Sequence, residues 1–171
     1  MHAFGEWLQA TPLSVMIQSV TWIIPLLQSI HIVMIGVVFV SSVMISLRVL
    51  GRVRPDEPFA DVWQRFAPWM WNGLVVMLVT GLILTLGEPE REFGALSFWL
   101  KMGLLVVAVV TIGVFGRAFA GAANASTAAG TEFSGGSKAI AITTIVIWLA
   151  IIFLGRAIAY DVEIWGSLSL R

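Results

Sequence analysis

The sequence predicts an all-α protein, a transmembrane four-helix bundle with a short N-terminal interfacial helix, and three observations carry that expectation. Of its 171 residues 58% are hydrophobic and only 12% charged, and the mean hydropathy is +0.93, which is far outside the range of a soluble globular domain. Four apolar runs reach the roughly 20 residues that a helix needs to cross about 30 Å of hydrocarbon. Strand-like alternation is missing, and lipid leaves open backbone groups unsatisfied, so runs of this kind are helices.

The elements follow in order along one membrane domain, residues 1–171. Thr11-Pro12 has the pattern of an N-cap followed by proline in the first turn. Residues 12–20 set Leu13, Val15, Met16 and Ile17 beside Gln18 and Ser19, as in a short helix lying at the interface or in the frayed start of the first span. The spans are read from about Trp22 to Leu50, Phe66 to Leu86, Phe98 to Phe119 and Ala139 to Tyr160. Residues 120–137 are rich in Ala, Gly, Ser and Thr and read as a flexible loop. Seven of the eight tryptophans fall near span ends, the pattern of an aromatic belt. Trp148 alone lies well inside a span.

Charge and cysteine content narrow the function classes. Ten Lys and Arg balance ten Asp and Glu, so nothing points to nucleic acid as a partner. Cysteine is absent, which excludes disulfides and thiolate-held metal or iron–sulfur sites from this chain alone. The first eleven residues hold Glu6 but no Lys or Arg, unlike the basic start of a secretory signal peptide. Arg48, Arg52, Arg54 and Arg65 sit between spans one and two, and Arg117 and Lys138 between spans three and four. The other connection reads Glu88-Pro89-Glu90-Arg91-Glu92. The excess of cations in cytoplasmic loops therefore predicts both termini outside, in a bacterial inner membrane.

Ionisable groups inside a span are costly unless paired or turned to a cavity, so they mark candidate sites. Three stand out: His31, Lys101 and Arg156. At about 100° per residue Gln28, His31, Ser42 and Ser46 share one face of span one. Arg156, Tyr160 and Glu163 share a face at i, i+4, i+7, and Ser97 and Lys101 do the same on span three. A rise of about 1.5 Å per residue sets His31 roughly 9 to 14 Å below the outer boundary and the two cations about 6 to 8 Å below it. That depth order suits an amphipathic ligand with an acidic outer end and a deeper centre. Haem b has this form: a neutral imidazole ligates iron while Lys and Arg pair with propionates. Met34 or Met102 would be the second ligand, since the remaining histidine is His2; a five-coordinate iron is the other solution. A quinone would use the same His31 and Tyr160, with Gln28 beside them. The structural alternative has His31 bonded to a neighbouring helix or Tyr160, and the cations snorkelling to the interface. No nucleophile and base pair, carboxylate pair or phosphate loop is present.

Pro25, His31 and the span-ending Ser46-Leu47-Arg48-Val49-Leu50-Gly51 resemble the first span of an uncharacterised family of bacterial four-span membrane proteins, a domain of unknown function. Thr80-Gly81, Phe98-Trp99-Leu100-Lys101 and Gly155-Arg156-Ala157-Ile158-Ala159-Tyr160 extend the resemblance over nearly the whole chain. The chain is more distantly similar to the membrane domain of copper-resistance protein D and to small membrane cytochromes b, which implies haem and electron transport. Many members of the family carry another histidine near the end of span three, where this sequence reads Val114-Phe115-Gly116-Arg117; that departure weakens a bis-histidine haem. Two functions are therefore expected from different classes: a redox protein of the inner membrane, or a non-enzymatic accessory subunit of a homo-oligomer or larger membrane complex.

Overall fold

The computed structural model describes residues 2–123 and 133–170. Their order is α1 (His2–Gln9), α2 (Pro12–Ser19), α3 (Ile23–Val49), α4 (Phe59–Gly87), α5 (Pro89–Phe93), α6 (Leu96–Ala123), α7 (Gly135–Ala157), a 3-10 turn (Ile158–Tyr160), α8 (Asp161–Trp165) and a last 3-10 turn (Gly166–Leu168). Helices α3, α4, α6 and α7 are each long and apolar enough to cross a membrane. No strand occurs among the described residues. The protein is thus an all-helical, multi-pass membrane protein.

Local chemistry sets the helix ends. The Thr11 hydroxyl accepts the Ser14 N–H at 3.4 Å and Pro12 opens α2, whose C-cap Val20 is extended, so α2 is a helix separate from α3. Proline at the third residue of α3 falls where the N–H has no intrahelical partner anyway. At the far end Gly51 takes φ +69°, and the Gly51 and Arg52 amides close back on the carbonyls of Arg48 and Leu47. Ser134 caps α7 by accepting the Ser137 N–H at 3.3 Å.

The long helices form a ring in the order α4, α3, α7, α6, with α3 packed most closely on α4 and the α4–α6 seam sparse. Val38, Ile45, Met70, Met77, Ala108, Ile112, Trp148 and Ile151 fill the centre. Side chains such as Val106 (63% exposed) and Phe153 (65%) point away from it, as expected where the solvent is lipid. Glycines let two seams close. A Cβ on Gly73 would lie 2.7 Å from Val38 Cγ2, and one on Gly116 would lie 2.6 Å from Trp63 Cζ2.

Both ends are tied by polar contacts. At the end holding the α3–α4 loop, buried Arg48 donates through Nε to the Glu57 carbonyl at 2.8 Å and lies 5.9 Å from the Phe133 ring centroid. The Glu57 carboxylate accepts from Arg54 at 3.1 Å and Arg65 at 2.6 Å. At the other end Gln18 donates to the Gly87 carbonyl at 2.9 Å, docking α2 on α4. There fully buried Asp161 accepts the Ser97 N–H at 2.9 Å, the Leu96 N–H at 3.1 Å and the Ser169 hydroxyl at 2.7 Å. The Trp165 indole donates to Ser97 Oγ at 2.8 Å.

Differences from the sequence reading lie at the boundaries. Hydropathy marks the part of a helix that lies in hydrocarbon, whereas the backbone ladder continues through polar residues, so α4 starts at Phe59 rather than near Phe66. Helix α6 runs to Ala123 and α7 starts at Gly135, so both ends of the stretch read as a loop at 120–137 are helical; residues 124–132 of that loop lie outside the described residues. The face expected to carry Arg156, Tyr160 and Glu163 is interrupted, because α7 ends at Ala157 and a 3-10 turn precedes α8.

Candidate functional site

The site begins with one hydrogen bond between α3 and α4. His31 Nδ1 lies 2.7 Å from Thr80 Oγ1, and Thr80 is 5% exposed. The Thr80 hydroxyl has a single proton, and it is directed at the Val76 carbonyl, 2.8 Å away in the preceding turn. With the hydroxyl proton on that carbonyl, Oγ1 accepts from Nδ1–H and Nε2 carries the lone pair; with the hydroxyl turned to Nδ1, the tautomer is reversed. No side chain among the described residues bonds Nε2. The ring sits against Gly81, where a Cβ would be 3.3 Å from His31 Cε1, so Gly81 admits the ring to the interhelical seam. The imidazole is half-buried.

The two cations that the sequence singled out lie on α6 and α7. Lys101 is the charged group whose field reaches the His31 ring. Its stem passes Gly155 of α7, with a Cβ there 3.8 Å from Lys101 Cδ, and its Nζ lies 5.3 Å from the Phe98 ring centroid. Arg156 is exposed and lies 5.5 Å from the Tyr160 ring centroid. The ion pairs found among the described residues join Arg54 and Arg65 to Glu57 and Arg91 to Glu88, so neither Lys101 nor Arg156 has a carboxylate within salt-bridge distance. Glu92 is the acid whose field reaches Lys101.

The remaining residues singled out by the sequence divide. Gln28 shares the His31 face of α3 but is exposed and makes no described bond to the ring. Tyr160, 49% exposed, attends Arg156 rather than His31. Met34 is one turn from His31 on the same helix and packs on the central core, so it cannot approach an iron from the side opposite the imidazole. Met102 packs with Ala95, Phe98 and Ile158 near the start of α6. The His2 side chain lies outside the description. Farther along the shared face Ser42 and Ser46 are buried and line a small cavity with Trp63, Met70, Thr111 and Thr144. Trp148 is fully buried, and its indole N–H meets no acceptor among the described residues.

For a haem the donor chemistry fits on one side. A half-buried imidazole with Nδ1–H held by an oxygen and a free Nε2 is the form in which histidine binds metal, and two cations without salt bridges suit propionates. The second axial position has no donor from α3. No cluster of three or more His, Cys, Asp or Glu that would hold a bare metal ion occurs among the described residues. Thr80 is the part of this site that reasoning from the sequence missed as a partner of His31. Its signal was a hydroxyl directly beside a glycine in the span that follows the histidine.

The model of a family described as Family of unknown function (DUF6644) matches residues 4–161, so the chain belongs to that family. No curated protein and no solved structure matches the chain.

Proposed function

We propose that this member of a family of unknown function is a redox protein of the bacterial inner membrane that binds haem b in the outer half of its bundle for electron transfer. The observation that carries the reading is the His31–Thr80 bond, which occupies Nδ1 of a membrane-embedded histidine while no described side chain bonds Nε2; with Nδ1–H donated to Thr80, Nε2 is the nitrogen that would bind iron. Lys101 and Arg156 would pair with the propionates, and Gly81 gives the ring its place between the helices. Haem bound there supplies a one-electron couple; the chain's own part is to hold the imidazole in one tautomer and to neutralise acid groups. The iron would be five-coordinate or take its sixth ligand from outside α3. The orientation goes with it: the cation-rich α3–α4 connection and Lys138 would be cytoplasmic and both termini outside.

In the tautomer with Nδ1–H on Thr80, Nε2 also separates the two redox ligands. An oxidised quinone presents carbonyl acceptors, which Nε2 cannot serve, whereas a quinol hydroxyl donates to it. Quinol is therefore the second reading, and an accessory subunit without a cofactor is the third. An absorption spectrum of the protein purified in mild detergent, oxidised and then reduced with dithionite, tests the proposal. Soret, α and β bands that disappear in His31→Ala are expected; a featureless spectrum, or bands indifferent to that substitution, overturns it.

A further inference from the structure

Helix α4 carries a polar group where lipid offers no partner. Counted from Phe66, where the apolar run of α4 begins, Asn72 lies about 9 Å inside the hydrocarbon, and about 21 Å from the other end of that run at Leu86. It is exposed, on the side of α4 turned away from the bundle, and no hydrogen bond satisfies its amide among the described residues. Within one chain it bridges no other helix among the described residues. Its face continues through Val75 (60% exposed), Val79 and Leu82, in the 3-4-3 spacing of a coiled-coil seam. The core residues Met70, Gly73, Met77 and Thr80 occupy the same spacing two positions earlier, which puts them on the opposite side.

We infer that this face of α4 docks a second copy of the same chain, with Asn72 paired to Asn72. Two copies inserted with one orientation relate by an axis along the membrane normal, so their α4 helices run parallel and both amides lie at one depth. A carboxamide has a donor and an acceptor, so a two-fold pair satisfies each from the other. That self-complementarity is what selects a copy of this chain over lipid or an unrelated apolar helix, and an asparagine in a parallel seam also fixes register. The surrounding valines and leucine supply the close packing that holds helices together where no hydrophobic drive exists. The inference does not depend on a cofactor.

The chain has no cysteine, so a single introduced thiol reports cleanly. Val79→Cys, one heptad from an intact Asn72, is expected to form a disulfide-linked dimer on mild oxidation in native membranes. Val106→Cys, equally outward on α6, is not. Adding Asn72→Val to Val79→Cys lowers the dimerisation constant by about 3- to 30-fold, the worth of an interhelical amide bond in lipid. Equal cross-linking at positions 79 and 106, or a yield indifferent to Asn72→Val, overturns the inference. So does a wild-type protein that is monomeric in membranes. Loss of the haem reading changes none of these outcomes.

Discussion

Asp161 is the buried acid that holds together the end of the bundle where α6 begins and α7 ends, and its replacement gives a graded test of that role. The carboxylate receives two N–H groups from the first turn of α6 and the Ser169 hydroxyl, so it caps α6 from 64 to 65 residues away in sequence. In Asp161→Asn the amide oxygen keeps the Ser97 N–H, and the NH2 group turns to Ser169 Oγ but faces the Leu96 N–H. One backbone donor and the favourable charge at a helix N-terminus are lost, at about 2 kcal/mol. In Asp161→Ala both donors lose their partner and a void opens, at about 3 to 4 kcal/mol. Amide hydrogen exchange in mild detergent locates the effect. At tenfold per about 1.4 kcal/mol, exchange at Leu96 and Ser97 should accelerate about 30-fold in Asn and several hundred-fold in Ala. Exchange in α3 should stay near wild type. Identical protection at residues 96 and 97 in the wild type and Ala, or uniform loss along all four long helices, would refute the capping argument.

Three other outcomes follow from the same geometry. Gly116→Ala places a methyl group against the rigid Trp63 ring and should lower stability by about 1 to 3 kcal/mol. Gly113→Ala, which meets nothing within 4 Å, should be neutral or better in the same thermal unfolding assay. On the haem proposal, Thr80→Val removes the oxygen bonded to His31 Nδ1 and should weaken haem retention about 10- to 100-fold in a titration of the protein with haem; unchanged affinity would disconnect Thr80 from the site. Loss of hydration pushes the Glu57 carboxyl up, but Arg54 and Arg65 outweigh it and hold the group below its usual range. Its stabilisation is therefore complete above the ordinary carboxylate pKa and is lost as pH falls through the lowered folded value. Unfolding midpoints followed from neutral to acid pH should show that loss in the wild type and not in Glu57→Gln.

The four long helices were legible because hydrophobicity over about 20 residues is a summed signal that single residues cannot erase. Thr11-Pro12 was legible for a local reason, since a cap and a fixed φ act within one turn. The clamp around Asp161 was not. Asp161 and Ser97 are ordinary polar residues at span ends, and their meeting depends on how α6 and α8 return to one place after more than 60 residues. Helix α1 and the short α5 were missed for a similar reason: contacts such as Phe4 on Phe93, with ring centroids 5.5 Å apart, are tertiary. At the candidate site, intrahelical periodicity grouped Gln28 with His31, but it carries no information on what a neighbouring helix brings. That is why Gln28 stands exposed while Thr80, from another span, holds the ring.

The uneven seams of the ring bear on how the bundle resists being parted. Three of its contacts, α4 on α3, α3 on α7 and α7 on α6, form a continuous wall, and α4 meets α6 sparsely, with Trp63 lodged against Gly116 toward one end. Such a bundle is a curled strip fastened at its margins rather than a closed cylinder. Separating that margin would disturb few packed residues and leave the wall intact, so the α4–α6 edge is the side on which the bundle resists parting least.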